Sequence, residues 1–181
     1  MNNRWIPNSL TACRMAGTLS LLFLKPLSTP FYVAYTLSGL SDVLDGTAAR
    51  ALHCTSDFGA KLDSWADLAF YGVMLLRVFP LLVVSLPTWI WACVGLDLVI
   101  RMICYLTAWR KFHRFASLHT WMNKASGLAV FLIPYSMGKT WELPYCLVAV
   151  TVAGLAAVEE LIIHATGSTY DPKRKSIFHR A

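Results

Sequence analysis

Long apolar runs separated by short polar breaks dominate the chain. A helix that crosses the hydrocarbon core of a bilayer needs about 20 mostly apolar residues. Six segments meet this requirement: 8–25, 30–51, 58–82, 86–109, 118–138 and 143–165. Prolines stand in or beside several of the breaks, as Pro26, Pro30 and Pro87 do. The pattern therefore predicts an all-α, polytopic membrane protein built as a bundle of six transmembrane helices.

Composition agrees with this fold class. Of the 181 residues, 56% are hydrophobic and only 14% are charged, whereas ordinary soluble domains carry roughly 25% charged residues. The five cysteines are scattered without a CxxC pair, which argues against a disulfide framework and a zinc site. A chain of this length predicts one domain. We place a transmembrane domain at 1–167 and a basic tail at 168–181.

Positive charges concentrate on one side of the predicted bundle. Cytoplasmic loops of membrane proteins carry an excess of Lys and Arg. The charges lie before the first span, in the fourth connection and after the sixth span: Arg4; Arg110, Lys111 and Arg114; Lys173, Arg174, Lys175 and Arg180. Both termini are therefore expected in the cytoplasm. The basic tail is not accompanied by a nucleic-acid-binding fold, so no nucleic acid is expected as a partner.

Two pairs of aspartates interrupt the apolar pattern, Asp42 with Asp45 and Asp63 with Asp67. Positions three or four apart share one face of a helix. If the two helices face each other, four carboxylates converge, and they would repel one another strongly. A bound divalent cation would relieve this repulsion, and all-oxygen ligands select hard ions such as Mg²⁺ or Mn²⁺. The pattern therefore indicates a metal site at the cytoplasmic end of the bundle.

The same stretch contains a longer motif, D-x2-D-G-x2-A-R-x8-G-x3-D-x3-D. Its fixed positions are Asp42, Asp45, Gly46, Ala49, Arg50, Gly59, Asp63 and Asp67. On this motif the chain resembles the CDP-alcohol phosphatidyltransferases, membrane enzymes that make phospholipid head groups. The run from Pro7 through Asn8 and Thr11 to Arg14 is similar to the P-N-x-x-T-x-x-R opening of that family. A solvated acidic loop is the plain alternative, but it would not explain small residues at helical spacing from the acids.

The resemblance implies a reaction and a set of roles. CDP-diacylglycerol and a small polar alcohol would give a phosphodiester lipid and CMP, with two Mg²⁺ or Mn²⁺ ions as cofactors. Asp42, Asp45 and Asp63 would be the main metal ligands, and Asp67 would complete the metal site and act as general base. Residues that contact the CDP group would be Asn8, Gly46, Ala49, Arg50, Ser56 and Gly59. Asn8 has a second interpretation as an ordinary helix cap.

The acceptor alcohol is less well defined by the sequence. Arg101, Arg110 and Lys124 would form a basic pocket for a phosphorylated polyol, such as glycerol 3-phosphate or inositol phosphate. Alternatively, Arg101 simply neutralises Asp97, which lies four residues earlier on the same predicted helix. The run from Leu62 to Asp67 resembles a motif of phosphatidylserine synthases, so serine stays an alternative acceptor. We favour the phosphorylated polyol.

Two hypotheses come from other functional classes. A non-enzymatic cation transporter also clusters acids within the membrane, but it would need them near mid-membrane rather than at cytoplasmic helix ends. A membrane scaffold would not need the Asp67 carboxylate. We expect an enzyme in a bacterial or archaeal cell membrane, with its active site facing the cytoplasm. Membrane lipids would surround its helices. A homodimer is a candidate assembly, because the family often forms one.

Overall fold

The structure is a computed structural model that describes residues 5–51, 57–113, 118, 120–167 and 175–177, with side chains described except at 5–8, 10, 42–51 and 57–60. The regular elements in these ranges are all α-helices, in agreement with the predicted fold class. They are α1 (Trp5–Ser20), α2 (Thr29–Ala51), α3 (Asp57–Arg77), α4 (Phe79–Ser85), α5 (Thr88–Phe112), α6 (Trp121–Phe131), α7 (Ile133–Ser136) and α8 (Glu142–Thr166). The chain divides into two compact units, residues 1–85 and 86–181.

Three helical stretches in the described ranges are long and apolar enough to cross a membrane. They are Lys61–Ser85, Thr88–Phe112 and Glu142–Thr166, and they coincide with the predicted spans 58–82, 86–109 and 143–165. The first stretch runs through α3 into α4, because the Val78 N–H still donates to the Met74 carbonyl at 2.9 Å. The predicted count of six spans is therefore confirmed only for these three.

Two further predicted spans, 8–25 and 30–51, agree with the helices of the structure to different degrees. α1 has 16 residues, which is short for a bilayer crossing, and turns follow it within the predicted span 8–25. α2 has 23 residues and nearly coincides with the predicted span 30–51. Because the last ten side chains of α2 lie outside the described set, its membrane crossing stays a prediction.

The predicted span 118–138 is wrong as a single helix. α6 ends at Phe131, and the short α7 begins at Ile133. Pro134 explains the break, since it lacks an N–H and its ring would clash with the carbonyl of Val130 in a continuous helix. In the first turn of α7 the same proline is tolerated, because no N–H is required there.

In the first unit, α1 packs against both α2 and α3. The contact between α1 and α2 is close: a Cβ added to Gly17 would lie 2.8 Å from the Ser38 Oγ. Arg77 of α3 donates from Nη2 to the Leu24 carbonyl at 2.5 Å and so holds the turn that follows α1. α1 is thus the helix that positions its neighbours in this unit.

In the second unit, α8 packs against α5, α6 and α7. Small side chains form much of its buried surface, including Ala149, Ala156 and Ala157. At Gly154 the helix approaches α5 so closely that an added Cβ would lie 2.6 Å from Asp97 Oδ1. Small residues allow this close approach, which is typical of helices packed within membranes.

Large apolar side chains point outward from the helices in both units. Val84 is 87% exposed, and Leu68, Leu76, Leu96 and Leu98 are also exposed. Water would penalise such a surface, because each exposed large apolar side chain forgoes roughly 1.5–3 kcal/mol of burial. Lipid removes that penalty. The exposed apolar surface and the three long apolar helices therefore indicate an integral membrane protein.

Candidate active site

α3 carries two of the predicted site residues on one face. Asp63 and Asp67 are four residues apart, about one helical turn, so their carboxylates project in the same direction. Both side chains are about half exposed. Ala66, between them in sequence, is fully buried and packs this part of α3 against its neighbours. The two carboxylates therefore lie at an accessible edge of a packed helix.

A single buried arginine from α1 binds both carboxylates. Arg14 is only 3% exposed, and its Nη1 lies 3.0 Å from Asp63 Oδ1. Its other terminal nitrogen, Nη2, contacts Asp67 Oδ1. A charge buried this deeply is costly unless it is paired. Arg14 thus fixes the two aspartates relative to each other and offsets part of their mutual repulsion.

The two halves of the acidic motif lie on α2 and α3, as the sequence predicts. Tyr35 of α2 stacks on Phe70 of α3, with ring centroids 5.4 Å apart. Helices joined by a short connection run antiparallel. Asp42 follows Tyr35 by seven residues, and Asp63 precedes Phe70 by seven residues. Positions 42 and 63 therefore each lie about two helical turns from the aromatic pair along their own helix.

Several predicted residues cannot be placed in full. The backbone is helical in α2 at Asp42, Asp45, Gly46, Ala49 and Arg50, in α1 at Asn8 and in α3 at Gly59, but their side chains lie outside the described set. Ser56 lies outside the described residues altogether. The metal-binding and CDP-binding roles of these residues therefore stay predictions.

Arg101, one of the predicted acceptor residues, contacts a buried glutamate of α8 and a side-chain amide of α6. Its Nη1 lies 3.7 Å from Oε2 of Glu160 in α8, and its Nη2 donates to Oδ1 of Asn123 at 3.2 Å. Glu160 is only 1% exposed. Asp97, the partner that the sequence-based alternative names, also interacts electrostatically with Arg101, so both acids help to balance its charge.

The other two predicted acceptor residues are exposed. Lys124 lies in the first turn of α6, with its ammonium nitrogen 5.0 Å from the centre of the Trp121 ring. Arg110 lies in the last turn of α5. Its neighbour Lys111 caps α8 instead, because Nζ donates to the carbonyls of His164 and Ala165 at 3.2 and 2.7 Å.

A group of three buried side chains around Glu160 resembles a metal site in composition. One ligand atom each from Cys104, Glu160 and His164 lies within 4.8 Å of the others. Cys104 Sγ and His164 Nδ1 are 3.3 Å apart. However, both Glu160 oxygens already accept N–H groups, and a guanidinium lies beside them. A cation would have to displace these donors, so we describe the group as a buried polar network.

Sequence reasoning missed the role of Glu160. In the sequence, Glu160 and His164 lie near the end of the sixth predicted span, and no motif around them indicates a chemical role. A signal was available, because an ionisable residue in an apolar helix is a functional candidate. The partners of Glu160 could not be identified from sequence, since Leu118 and Asn123 lie 42 and 37 residues away.

Comparison with known proteins extends the resemblance from a motif to most of the chain. The sequence model of CDP-alcohol phosphatidyltransferases matches residues 4–158, a range that includes α1 to α7 and the larger part of α8. No curated protein and no solved structure matches the chain significantly. Members of this family transfer substituted phosphate groups and typically depend on a divalent metal. With a match of this extent, and with Asp63 and Asp67 on one face of α3 as the motif requires, the chain belongs to the CDP-alcohol phosphatidyltransferase family.

Proposed function

We propose that this protein transfers the phosphatidyl group of CDP-diacylglycerol to the hydroxyl of a phosphorylated polyol, such as glycerol 3-phosphate or inositol phosphate. The observation that carries the proposal is the pair of half-exposed carboxylates Asp63 and Asp67, held one turn apart by the buried Arg14. Pairing at Arg14 keeps both carboxylates oriented toward the accessible side of α3. The family match supplies the reaction class.

The donor set fits a hard divalent cation. The motif's acidic residues offer carboxylate oxygens, and on α3 Asp63 and Asp67 both pair with Arg14. The ligands of two Mg²⁺ or Mn²⁺ ions would be Asp42, Asp45, Asp63 and Asp67. When bound, the ions would neutralise the pyrophosphate and stabilise the departing CMP.

The protein's own residues would carry out the remaining steps. Asp67 accepts the proton of the acceptor hydroxyl. The acceptor oxygen forms a new bond to the β-phosphorus, while the bond between that phosphorus and the oxygen of CMP breaks. Gly46 and Ala49 leave room for the cytidine along α2, and Arg50 and Ser56 contact the phosphates. Asn8 and Gly59 complete the CDP-binding set.

We assign the acceptor phosphate to Arg101, Arg110 and Lys124. Two of these side chains are exposed, and Arg101 is about one quarter exposed. An arginine fork matches the oxygens of a phosphate, and a lysine adds a compact charge. Serine carries no phosphate, so this basic set favours a phosphorylated acceptor over serine.

An acceptor panel tests the proposal. Purified protein in mixed micelles receives CDP-diacylglycerol with glycerol 3-phosphate, inositol phosphate or serine, each with and without Mg²⁺. CMP release is measured, and the lipid product is identified by mass. We expect Mg²⁺-dependent release with a phosphorylated polyol. Turnover with serine alone would refute the phosphate-binding role of the basic residues, and no release with any acceptor would refute transferase activity.

A further inference from the structure

Glu160 has a role in the second unit that the motif does not assign. We propose that Glu160 is a positioning residue, which holds Arg101 and the amino-terminal end of α6 in the arrangement that binds the acceptor phosphate. The inference rests on the proposed function and identifies how its acceptor site is built. It concerns three elements of one unit, namely α5, α6 and α8.

Glu160 accepts two hydrogen bonds and lies beside a guanidinium. Its Oε1 accepts the backbone N–H of Leu118 at 2.7 Å. Its Oε2 accepts Nδ2 of Asn123 at 2.8 Å and lies 3.7 Å from Nη1 of Arg101. Both carboxylate oxygens of Glu160 are therefore in use, and the guanidinium lies beside one of them. Because Glu160 is almost fully buried, its charge requires the guanidinium beside it.

Asn123 links this carboxylate to both Arg101 and the start of α6. Its Nδ2 also donates to the Leu118 carbonyl at 2.7 Å, while its Oδ1 accepts from Arg101. Its backbone N–H donates to the hydroxyl of Thr120, the N-cap of α6, at 3.1 Å. The first turn of α6 is therefore fixed against α5 and α8. Lys124 follows Asn123 on that turn.

Arg101 can still bind a phosphate while it contacts Glu160 and Asn123. A guanidinium carries five N–H donors, and the contacts with Glu160 and Asn123 involve one at each terminal nitrogen. The side chain is 26% exposed, so Arg101 is not sealed within the buried network. A fork whose orientation is fixed in advance loses less conformational freedom when it binds a phosphate.

Replacing Glu160 with glutamine changes the hydrogen-bonding groups of the side chain but leaves its volume nearly unchanged. In Glu160→Gln the side chain has one acceptor oxygen and gains an NH₂ group, which would face the donors of Asn123 or Arg101. Glu159→Gln is the matched control on the same helix, because Glu159 contacts the tail at the Ile177 N–H instead. The two variants make the same chemical change one residue apart.

Steady-state kinetics separate positioning from general stability. With glycerol 3-phosphate or inositol phosphate, whichever supports turnover, we expect Glu160→Gln to raise the acceptor KM by about 10- to 100-fold, the loss of a hydrogen-bonded charged contact. The KM for CDP-diacylglycerol and kcat should change by less than about twofold. Glu159→Gln should resemble wild type. Arg101→Met should raise the same KM, and the double variant with Glu160→Gln should be no worse than Arg101→Met alone, because Glu160 acts through Arg101.

The outcomes distinguish this inference from the proposed function. If wild-type protein releases no CMP with any phosphorylated acceptor, the proposed function fails and the inference falls with it. If wild type is active but Glu160→Gln raises the KM for the acceptor and the KM for CDP-diacylglycerol equally, only the inference is wrong. The same holds if the double variant raises the acceptor KM by the product of the two single effects. Should Glu160→Gln fail to fold, Asn123→Ala gives the same test, since it removes one contact to Arg101 and leaves Glu160 in place. An unchanged acceptor KM in Asn123→Ala would then overturn the inference.

Discussion

Arg14 is nearly inaccessible to solvent, yet it contacts two carboxylates that are half exposed. This asymmetry matters because the cation is held by the packing of α1, whereas the anions keep access to a ligand. The planar guanidinium reaches Asp63 and Asp67 through separate nitrogens, which a lysine ammonium cannot reproduce. We infer that Arg14 sets the spacing of the two acids before any metal or substrate binds.

Replacing Arg14 with Lys should lower kcat without unfolding the protein. A lysine keeps the positive charge but cannot hold both carboxylates in the same geometry, and a misplacement of about 1 Å can cost about 100-fold in rate. We expect kcat for CMP release to fall by about 10- to 100-fold. Arg77→Lys is the control, since Arg77 donates to the Leu24 carbonyl and should affect the melting temperature rather than kcat. Equal kinetic losses in both variants would argue against a site-specific role for Arg14.

For single residues, the sequence predicts which side chains share a helix face, but not which distant side chains they contact. The four-residue interval between Asp63 and Asp67 follows from helical periodicity, and the structure places both on α3 as expected. Arg14 contacts Asp63 across 49 positions of the chain. No local pattern contains that information, because it depends on how α1 packs against α3.

Helix α8 lies close to a side chain of α5 at Gly154, where an added methyl group would overlap the carboxylate of Asp97. Gly154→Ala should therefore lower the apparent melting temperature in detergent, although alanine favours a helix more than glycine does. Overpacking costs about 1–3 kcal/mol, and the loss here should lie at the lower end, because the clashing atom is the end of the Asp97 side chain. Truncating the opposing side chain, in Gly154→Ala with Asp97→Ala, should recover most of the loss.

Gly95 provides the matched control within α5. In the described part of the chain, no atom outside the local helix backbone and the adjacent residues lies within 4 Å of a Cβ added there. Gly95→Ala should leave the melting temperature unchanged or raise it slightly, because only helix propensity changes. If Gly154→Ala proves as harmless as Gly95→Ala, the close approach of α5 and α8 is not as described.

The elements themselves were largely predictable from apolar run length. Three predicted spans coincide with long apolar helices, because a continuous apolar run gives the same signal whatever it packs against. The prediction for 118–138 failed because one apolar run contains two helices. Pro134 was visible in the sequence, but membrane helices tolerate prolines, so the residue alone did not decide between a kink and a break.

For the whole molecule, the apolar outer surface and the charge asymmetry lead to a topology that can be tested. Segments 84–88 and 139–142 should be external, whereas 53–57, 111–116 and the tail after 167 should be cytoplasmic. Single cysteines introduced as Ser85→Cys and His113→Cys, after the native cysteines are replaced, should react with an impermeant maleimide from opposite sides. The two positions flank α5, so one crossing of the membrane lies between them.

Labelling from outside would contradict the topology if it reached position 113. Lys139→Cys serves as an internal check, because it should share the external accessibility of Ser85→Cys. External labelling at position 57 would also overturn the cytoplasmic placement of the acidic motif.

The central claim is that the acidic motif catalyses phosphatidyl transfer with Asp67 as the base. The most direct measurement is CMP release from CDP-diacylglycerol by purified Asp67→Asn protein, compared with wild type at saturating Mg²⁺ and acceptor. Asparagine has nearly the same shape but cannot accept the proton, so the rate should fall by about 100- to 10,000-fold while CDP-diacylglycerol still binds. Turnover by Asp67→Asn within a few-fold of wild type would contradict the account.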